Sequence, residues 1–156
     1  TMTQPNVYWT LDTPFVTFVG LYTNVPEGGW LDDTQIAWFE AELTNAPQDK
    51  ALIVTMHHPI YSGDTYHRGS HYMGKILDAA IEHTGRIPDA VFSGHVHNYQ
   101  RSYPMTYTPQ NPFDPIVTSC SKSTYSNPEG EIYAIVGTGG VNFPGLSGKS
   151  YFIASQ

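Results

Sequence analysis

The chain has 156 residues, 40% of them apolar, and a formal net charge of −7, so it suits one domain with a substantial core. Its 7 lysines and arginines cannot form a sizeable phosphate-neutralising surface against 14 acidic residues, and we therefore expect no nucleic-acid partner. No apolar run reaches the length of about 18 residues that a membrane span needs, and the single cysteine, Cys120, excludes an intrachain disulfide and a cysteine-rich zinc site.

The chain begins with a predicted strand and a predicted helix. A β-rich run covers 14–23, and a helix follows over 32–47. Asp32 and Gln35 have the spacing of a capping box, and Pro47 ends the helix. Its apolar face consists of Ile36, Phe39 and Leu43.

A second strand, helix and strand come next. The continuous apolar run over 51–56 is typical of a strand that is covered on both faces. A helix is predicted over 70–85, with Ser70 as its N-cap, Gly85 as its end and an inward face of Met73, Leu77, Ala80 and Ile81. A short strand over 89–94 follows it.

After Tyr99 the pattern changes to short β-rich pieces. Strands are predicted over 103–107, 116–118, 132–136 and 151–154, with a loop rich in proline, serine and asparagine over 108–130. The β-α-β-α-β order of the first part predicts a layered α/β fold with a mainly parallel sheet.

Histidines follow two of the predicted buried strands. His57 and His58 come directly after the strand over 51–56, and His95 and His97 come after the strand over 89–94. Ligands of open α/β sheets sit beyond the carboxyl ends of the strands, and residues two apart in extended backbone point to the same side. Neutral imidazole is a common metal ligand, so we expect His57, His95 and His97 to form a metal site. The alternative is that each is a hydrogen-bonded loop residue.

The same residues resemble a known family. Val54-Thr55-Met56-His57 matches the V-x-x-H motif, and Gly94-His95-Val96-His97 the G-H-x-H motif, of calcineurin-like metallophosphoesterases. The stretches "GLYTNVPEGG", "DDTQIAWFEAEL", "KALIVTMHHPIYS", "RIPDAVFSGHVHNYQRS" and "IYAIVGTGG" are similar to the purple acid phosphatase-like branch, in the right order. The resemblance covers about 5–140, and it implies a layered metallophosphoesterase fold, a β-sheet sandwich flanked by helices.

The resemblance also implies a function and a site. A full-length enzyme of this kind is a metal-dependent phosphoester hydrolase, an acid-phosphatase-like phosphomonoesterase in which a metal-bound hydroxide attacks the phosphorus of a small phosphate ester. It holds two metal ions, of iron, zinc or manganese. By resemblance, His57 and His95 bind one ion and His97 the other, while His67, in the loop after V-x-x-H, protonates the leaving group.

Three further residues are candidates for substrate binding: His58, Asn98 and Arg101. His58 precedes Pro59, which favours extended backbone, so we expect its side chain to point away from His57. The sequence does not decide whether His58 has a structural role or contacts the phosphate of the substrate. Asn98 and Arg101 follow the G-H-x-H turn, where the arginine could hold an anion or pair with a carboxylate.

The chain departs from the family pattern in its first part. The aspartate motif, G-D-x-x-Y and G-N-H-[DE], which supply the bridging aspartate and most other ligands, are absent from the 156 residues. We therefore interpret 1–156 as the C-terminal part of a metallophosphoesterase domain whose N-terminal half lies elsewhere. Such a part would have little activity by itself, and self-association through an exposed sheet edge is expected.

Two other functions remain open from the sequence. One is a phosphodiesterase of the same fold, for example one acting on cyclic nucleotides, since such enzymes share G-H-x-H. The other is a non-catalytic fragment that binds at most one metal weakly.

Overall fold

The computed structural model describes residues 7–24, 28–111, 113–121, 123–139 and 148–156. Nine strands and two helices lie in that part of the chain. In chain order they are β1 (Trp9–Asp12), β2 (Val16–Gly20), α1 (Asp33–Asn45), β3 (Ala51–Met56), α2 (His71–Thr84), β4 (Ala90–Ser93), β5 (Tyr99–Ser102), β6 (Met105–Thr106), β7 (Ile116–Val117), β8 (Ile132–Val136) and β9 (Ile153–Ser155).

Seven of these strands form one mixed sheet in the order β1-β2-β3-β4-β8-β5-β9, and β6 pairs with β7 in a small second sheet. The predicted α/β class is confirmed. The expected parallel order holds for β2, β3, β4 and β8, while β1, β5 and β9 join the sheet antiparallel to their neighbours. The connection between β1 and β2 is short enough to reverse the chain, whereas β5 meets its antiparallel partners β8 and β9 only through long connections.

Two strands were not predicted from the sequence, β1 and β5. The pattern of β5 is polar, yet Gln100 and Ser102 are buried because each side chain has a backbone partner. Gln100 Oε1 accepts from the Gly63 amide at 2.7 Å, and Ser102 Oγ accepts from the Tyr133 amide at 2.9 Å. Hydrophobic periodicity cannot detect a strand whose inward side chains are satisfied by distant hydrogen bonds.

Both helices begin where their capping residues predict. Asp32 accepts from the Gln35 amide at 2.8 Å, and Ser70 accepts from the Met73 amide at 3.3 Å. Gly85 ends α2 in the left-handed conformation, with φ 69°. The Gln35 side chain is buried, and its two hydrogen bonds go to the backbone of Tyr22.

The core lies between the two helices and one face of the sheet. The helices pack against each other, and their buried side chains share one cluster with inward residues of β2, β3 and β4. The central members are Val19, Phe39, Leu43, Leu52, Val54, Met73, Leu77 and Val91. Neither described helix has the length and hydropathy needed to cross a bilayer.

The opposite face of the sheet has exposed apolar side chains. The strand register places Leu11, Phe92, Tyr99 and Val136 on that face. They are between 36% and 52% exposed. An extended apolar surface of this kind is typical of a contact surface in a larger assembly or chain.

A carboxylate is buried at the far side of the core, on the residue before β8. Glu131 is only 5% exposed, and the hydroxyl of Tyr133 donates to its Oε2 at 3.4 Å. Burial raises the pKa of the Glu131 carboxyl to about 7, and the charge of Asp78 acts in the same direction. The hydroxyl of Tyr61, whose ring packs edge-on against Tyr133, also lies buried nearby.

We therefore expect the contribution of Glu131 to stability to fall as the pH rises. Between pH 4.5 and about 7 the folded chain keeps the Glu131 proton that the unfolded chain loses, so this group's contribution to the free energy of unfolding decreases by about 3 kcal/mol, while the lowered pKa of His95 acts in the opposite direction. Urea unfolding of the wild-type chain and of Glu131→Gln at several pH values measures how the free energy of unfolding depends on pH. The variant should lose this part of the pH dependence, whereas Glu129→Gln, at an exposed position, should keep it. Equal pH profiles for all three chains would contradict the assignment.

Candidate metal centre

The sheet register brings the two histidine-bearing strand ends side by side. Met56, the last residue of β3, pairs with Ser93, the last residue of β4. The next residues continue the pairing, because the Gly94 amide donates to the His57 carbonyl at 3.0 Å. His57 and His95 therefore meet at the carboxyl edge of the sheet, where the sequence predicts a ligand site.

His95 has a backbone conformation that few side chains adopt. Its φ is 62°, in the left-handed region, and it is the middle residue of a narrow turn in which the Val96 amide donates to the Gly94 carbonyl. A second narrow turn follows, in which the Asn98 amide donates to the Val96 carbonyl. The His95 Nδ1 atom lies 3.3 Å from the His57 Nε2 atom. Non-glycine residues in this region cluster at functional sites, where the surrounding structure holds them.

A third imidazole joins this pair. One ring nitrogen of each of His57, His58 and His95 lies within 4.8 Å of the others, and we call these three residues the histidine group. The expectation that the His58 side chain points away from His57 is wrong, since their ring centroids are 5.0 Å apart. The reason is a contact that the sequence did not reveal: Thr23 Oγ1 lies 3.0 Å from His58 Nδ1 and accepts from the His58 amide at 3.1 Å.

Thr23 is thus a positioning residue that sequence reasoning missed. Its side chain is completely buried. The segment that contains it is fixed by Gln35, which hydrogen-bonds both the amide and the carbonyl of the preceding Tyr22. Holding Nδ1 of His58 leaves Nε2 for a ligand, and ring orientation by such outer contacts is common around metal sites.

The surroundings of His95 and His58 favour the neutral form of both rings. The pKa of His95 is lowered to about 4, first by burial and then by the neighbouring His58, His57, His67 and His97. Burial, together with His57, lowers the pKa of His58 as well. At neutral pH the His95 ring therefore keeps a lone pair for a cation, as a metal ligand must.

The residues of the group fit part of a metal site. Three imidazoles with nitrogens this close can bind one ion, with water as a further ligand. In the described part of the chain the group includes no aspartate or glutamate. Two cations a few ångströms apart repel each other and need a bridging carboxylate, so the group fits one ion and not two.

The other predicted ligand lies outside the histidine group. His97 is exposed and is not a member of the set within 4.8 Å, although its charge acts on His95. The assignment of His97 to a second ion remains a prediction.

Two of the predicted substrate-binding residues have partners within the chain. The side chain of Asn98 is buried and accepts from Gln100 Nε2 at 3.0 Å. Arg101 donates to the Tyr125 hydroxyl at 2.8 Å. Substrate binding by His58, Asn98 and Arg101 also remains a prediction.

The loop with His67 reaches over the histidine group. The ring centroids of His67 and His95 are 5.4 Å apart. Asp64 accepts from the His67 amide at 2.8 Å, and its Oδ1 lies 3.8 Å from His67 Nδ1. The Gly63 amide, which donates to buried Gln100, anchors the start of this loop. His67 therefore lies beside the group and open to solvent, and its role as proton donor remains a prediction.

The fold and the histidine group define an α/β domain of the metallophosphoesterase class. The chain belongs to the calcineurin-like phosphoesterase family, whose pattern it matches over residues 9–99.

Relatives of this chain are named phosphatases. It is 35% identical over 118 residues to phosphoenolpyruvate phosphatase from Allium cepa, with 72% of this chain and 22% of that protein covered. It is 31% identical over 120 residues to purple acid phosphatase 21 from Arabidopsis thaliana, with 74% of this chain and 26% of that protein covered. The resemblance to purple acid phosphatases seen in the sequence is confirmed. The chain spans about a quarter of the length of these relatives.

Solved structures share the fold. Purple acid phosphatase PPD1 from yellow lupin seeds superposes with a TM-score of 0.80 at 19% identity, over 99% of this chain and 28% of that one. GAP50, the anchor in the inner membrane complex of Plasmodium, superposes with a TM-score of 0.63 at 19% identity, over 96% of this chain and 43% of that one. At such identities the likeness concerns the fold alone.

Proposed function

We propose that these 156 residues supply one side of the active site of a longer metal-dependent phosphomonoesterase. The observation that carries the proposal is the histidine group, three imidazoles from two adjacent strand ends in a chain of the calcineurin-like phosphoesterase family. The names of the relatives support a phosphatase. We infer that the chain is the C-terminal part of its domain, because it carries V-x-x-H and G-H-x-H without the aspartate and asparagine motifs of the family's first half, and because it covers only about a quarter of those relatives.

Each residue of the site has a role in this proposal. His57 and His95 would hold a metal ion, and His97 would be a ligand of a second one in the full-length enzyme. Metal ions at such a site activate a water molecule for attack on phosphorus and neutralise the charge of the phosphate. His58, fixed by Thr23, contacts the ion or a phosphate oxygen, and His67 donates a proton to the leaving alkoxide.

The exposed sheet face also supports a longer protein. Leu11, Phe92, Tyr99 and Val136 form an apolar surface opposite the helices. We propose that chain outside these 156 residues covers that face in the full-length enzyme. In the isolated chain the same surface, and the edge strands β1 and β9, favour self-association.

A non-catalytic role is the second candidate. The fold is shared with GAP50, the anchor in the inner membrane complex of Plasmodium. The two candidates differ in metal binding, because a non-catalytic scaffold has no need of the histidine group.

Metal binding tests the proposal directly. We expect the purified chain to bind about one zinc or manganese ion, and His57→Ala or His95→Ala to weaken binding by at least 10- to 100-fold, because each removes a ligand. Calorimetric titration with metal content by plasma mass spectrometry gives affinity and stoichiometry. Comparing His58→Ala with His97→Ala then shows which of the two is the third ligand.

The matched control is His83→Ala. His83 is an exposed histidine near the end of α2 and hydrogen-bonds Glu40 at 2.8 Å, away from the strand ends. Wild-type affinity in this variant and weak affinity in the two ligand variants would support the site. Equal affinity in all of them would contradict it and favour the non-catalytic candidate.

A further inference from the structure

An open cleft lies directly beside the histidine group. Its volume is about 390 Å³, and His58 and His95 form one wall. Arg68, His71 and Tyr72, from the His67 loop and the start of α2, form another wall. The cleft is large enough for one small organic group and opens onto the site of reaction in the proposed function, on which this inference rests.

An aromatic pair borders this cleft. The rings of Trp30 and Tyr72 are stacked, with centroids 4.6 Å apart and an interplanar angle of 22°. Both rings remain accessible, with Trp30 45% and Tyr72 38% exposed. A rigid, accessible aromatic surface beside a reaction site is suited to packing against a planar group.

The pair is attached to the same segments that hold the histidine group. Thr23, which fixes His58, also accepts from the Trp30 amide at 3.2 Å. Ser70, the N-cap of the helix that bears Tyr72, donates to the Gly29 carbonyl at 3.1 Å. Gly29 has φ 70°, and a Cβ there would lie 3.2 Å from His58 Cβ. The distance from the aromatic pair to the histidines is therefore set by backbone contacts and short side chains.

The charge of the cleft suits an anionic ester. None of the described residues that line it is acidic, although the chain has 14 acidic residues and a net charge of −7. Arg68 brings a permanent positive charge to the wall. An ester that carries a phosphate can thus enter without meeting a carboxylate.

We propose that this cleft is the leaving-group subsite and that it selects phosphate esters with a planar aromatic leaving group. The leaving group packs against the ring of Tyr72, the specificity-determining residue. Trp30 is a positioning residue that supports that ring from its other side. The phosphate lies toward His58 and His95, and Arg68 attracts the ester into the cleft.

Binding of two matched, non-hydrolysable ligands tests the inference. Phenylphosphonate and cyclohexylphosphonate have the same charge and nearly the same size, but only the first is planar. With zinc added, the wild-type chain is expected to bind phenylphosphonate about tenfold more tightly, as measured by calorimetry or by NMR titration. In Tyr72→Leu that ratio should fall to near one, and in Trp30→Leu it should fall in part.

Two more variants make the test specific. Tyr72→Phe keeps the ring and should retain the preference. Phe15→Leu removes an exposed ring that precedes β2, at the end of the sheet away from the histidines, and should also retain it. Equal binding of both phosphonates to wild type, or an unchanged ratio in Tyr72→Leu, would overturn the subsite and leave the metal site standing. If neither phosphonate binds the zinc-loaded chain, this inference fails while the metal site stands; if the chain does not bind zinc, the proposed function fails first and this inference with it.

Discussion

The purified 156-residue chain, with zinc, manganese or iron added, is expected to hydrolyse an aryl phosphate far more slowly than the rate of about 1 to 10³ per second that is typical of enzymes. The reason is the number and charge of its ligands. The histidine group offers three imidazoles, which are uncharged as metal ligands, and, among the described residues, no carboxylate. Without a bridging anion, two cations cannot be held close together. The attacking and leaving oxygens of the phosphate ester would then not both be stabilised by a metal ion.

Initial rates with a nitrophenyl ester, together with metal content per chain, measure this expectation. Sedimentation of the same sample reports whether the exposed sheet face has caused self-association, which could occlude the site. Turnover within the typical enzyme range, with two metal ions bound per chain, would show the argument from ligand count to be wrong. A weak rate that disappears in His57→Ala and His95→Ala would instead identify residual catalysis by one ion.

In the full-length enzyme, His67→Ala is expected to slow the hydrolysis of an alkyl phosphate by about 10² to 10⁴. The His67 ring lies 5.4 Å from that of His95, and Asp64 accepts from its amide. A proton donor matters most when the leaving alkoxide is basic. The loss should therefore be much smaller for a nitrophenyl ester, whose leaving group needs little protonation.

The measurement is kcat/KM for both esters in wild type, His67→Ala and the control His83→Ala. A loss confined to the alkyl ester supports proton donation. Equal losses on both esters would mean that His67 acts by positioning the substrate or the loop. Losses in His83→Ala, whose side chain pairs with Glu40 on the surface, would indicate a general effect on folding.

Residues that are distant in sequence also shape the site. Their hydrogen bonds fix parts of its geometry that the V-x-x-H and G-H-x-H motifs do not specify. Thr23, Gln35 and Gln100 each hydrogen-bond a segment at least 13 residues away. None of them is a ligand or a proton donor. Thr23 contacts His58 directly, whereas Gln35 holds the backbone next to Thr23 and Gln100 holds the start of the His67 loop, so substitutions at all three are expected to act through geometry.

The sequence by itself determined the local elements and the chemistry of the strand ends. Asp32, Ser70 and Gly85 predict both ends of α2 and the start of α1, because capping depends on hydrogen bonds within a few residues. The apolar run before His57 predicts β3, and the two motifs predict that His57 and His95 meet at one edge. These features are local, or follow from the parallel order of neighbouring strands.

Only the tertiary structure decided which imidazoles form the group and how the sheet is completed. His58 joins the group because Thr23, 35 residues earlier, holds its ring, and no local pattern carries that information. β1 and β5 form antiparallel to their neighbours, and the inward polar side chains of β5 are satisfied by partners elsewhere in the chain. Such contacts arise only when distant segments are packed together, because a buried polar group is stable only beside the partner that the fold supplies.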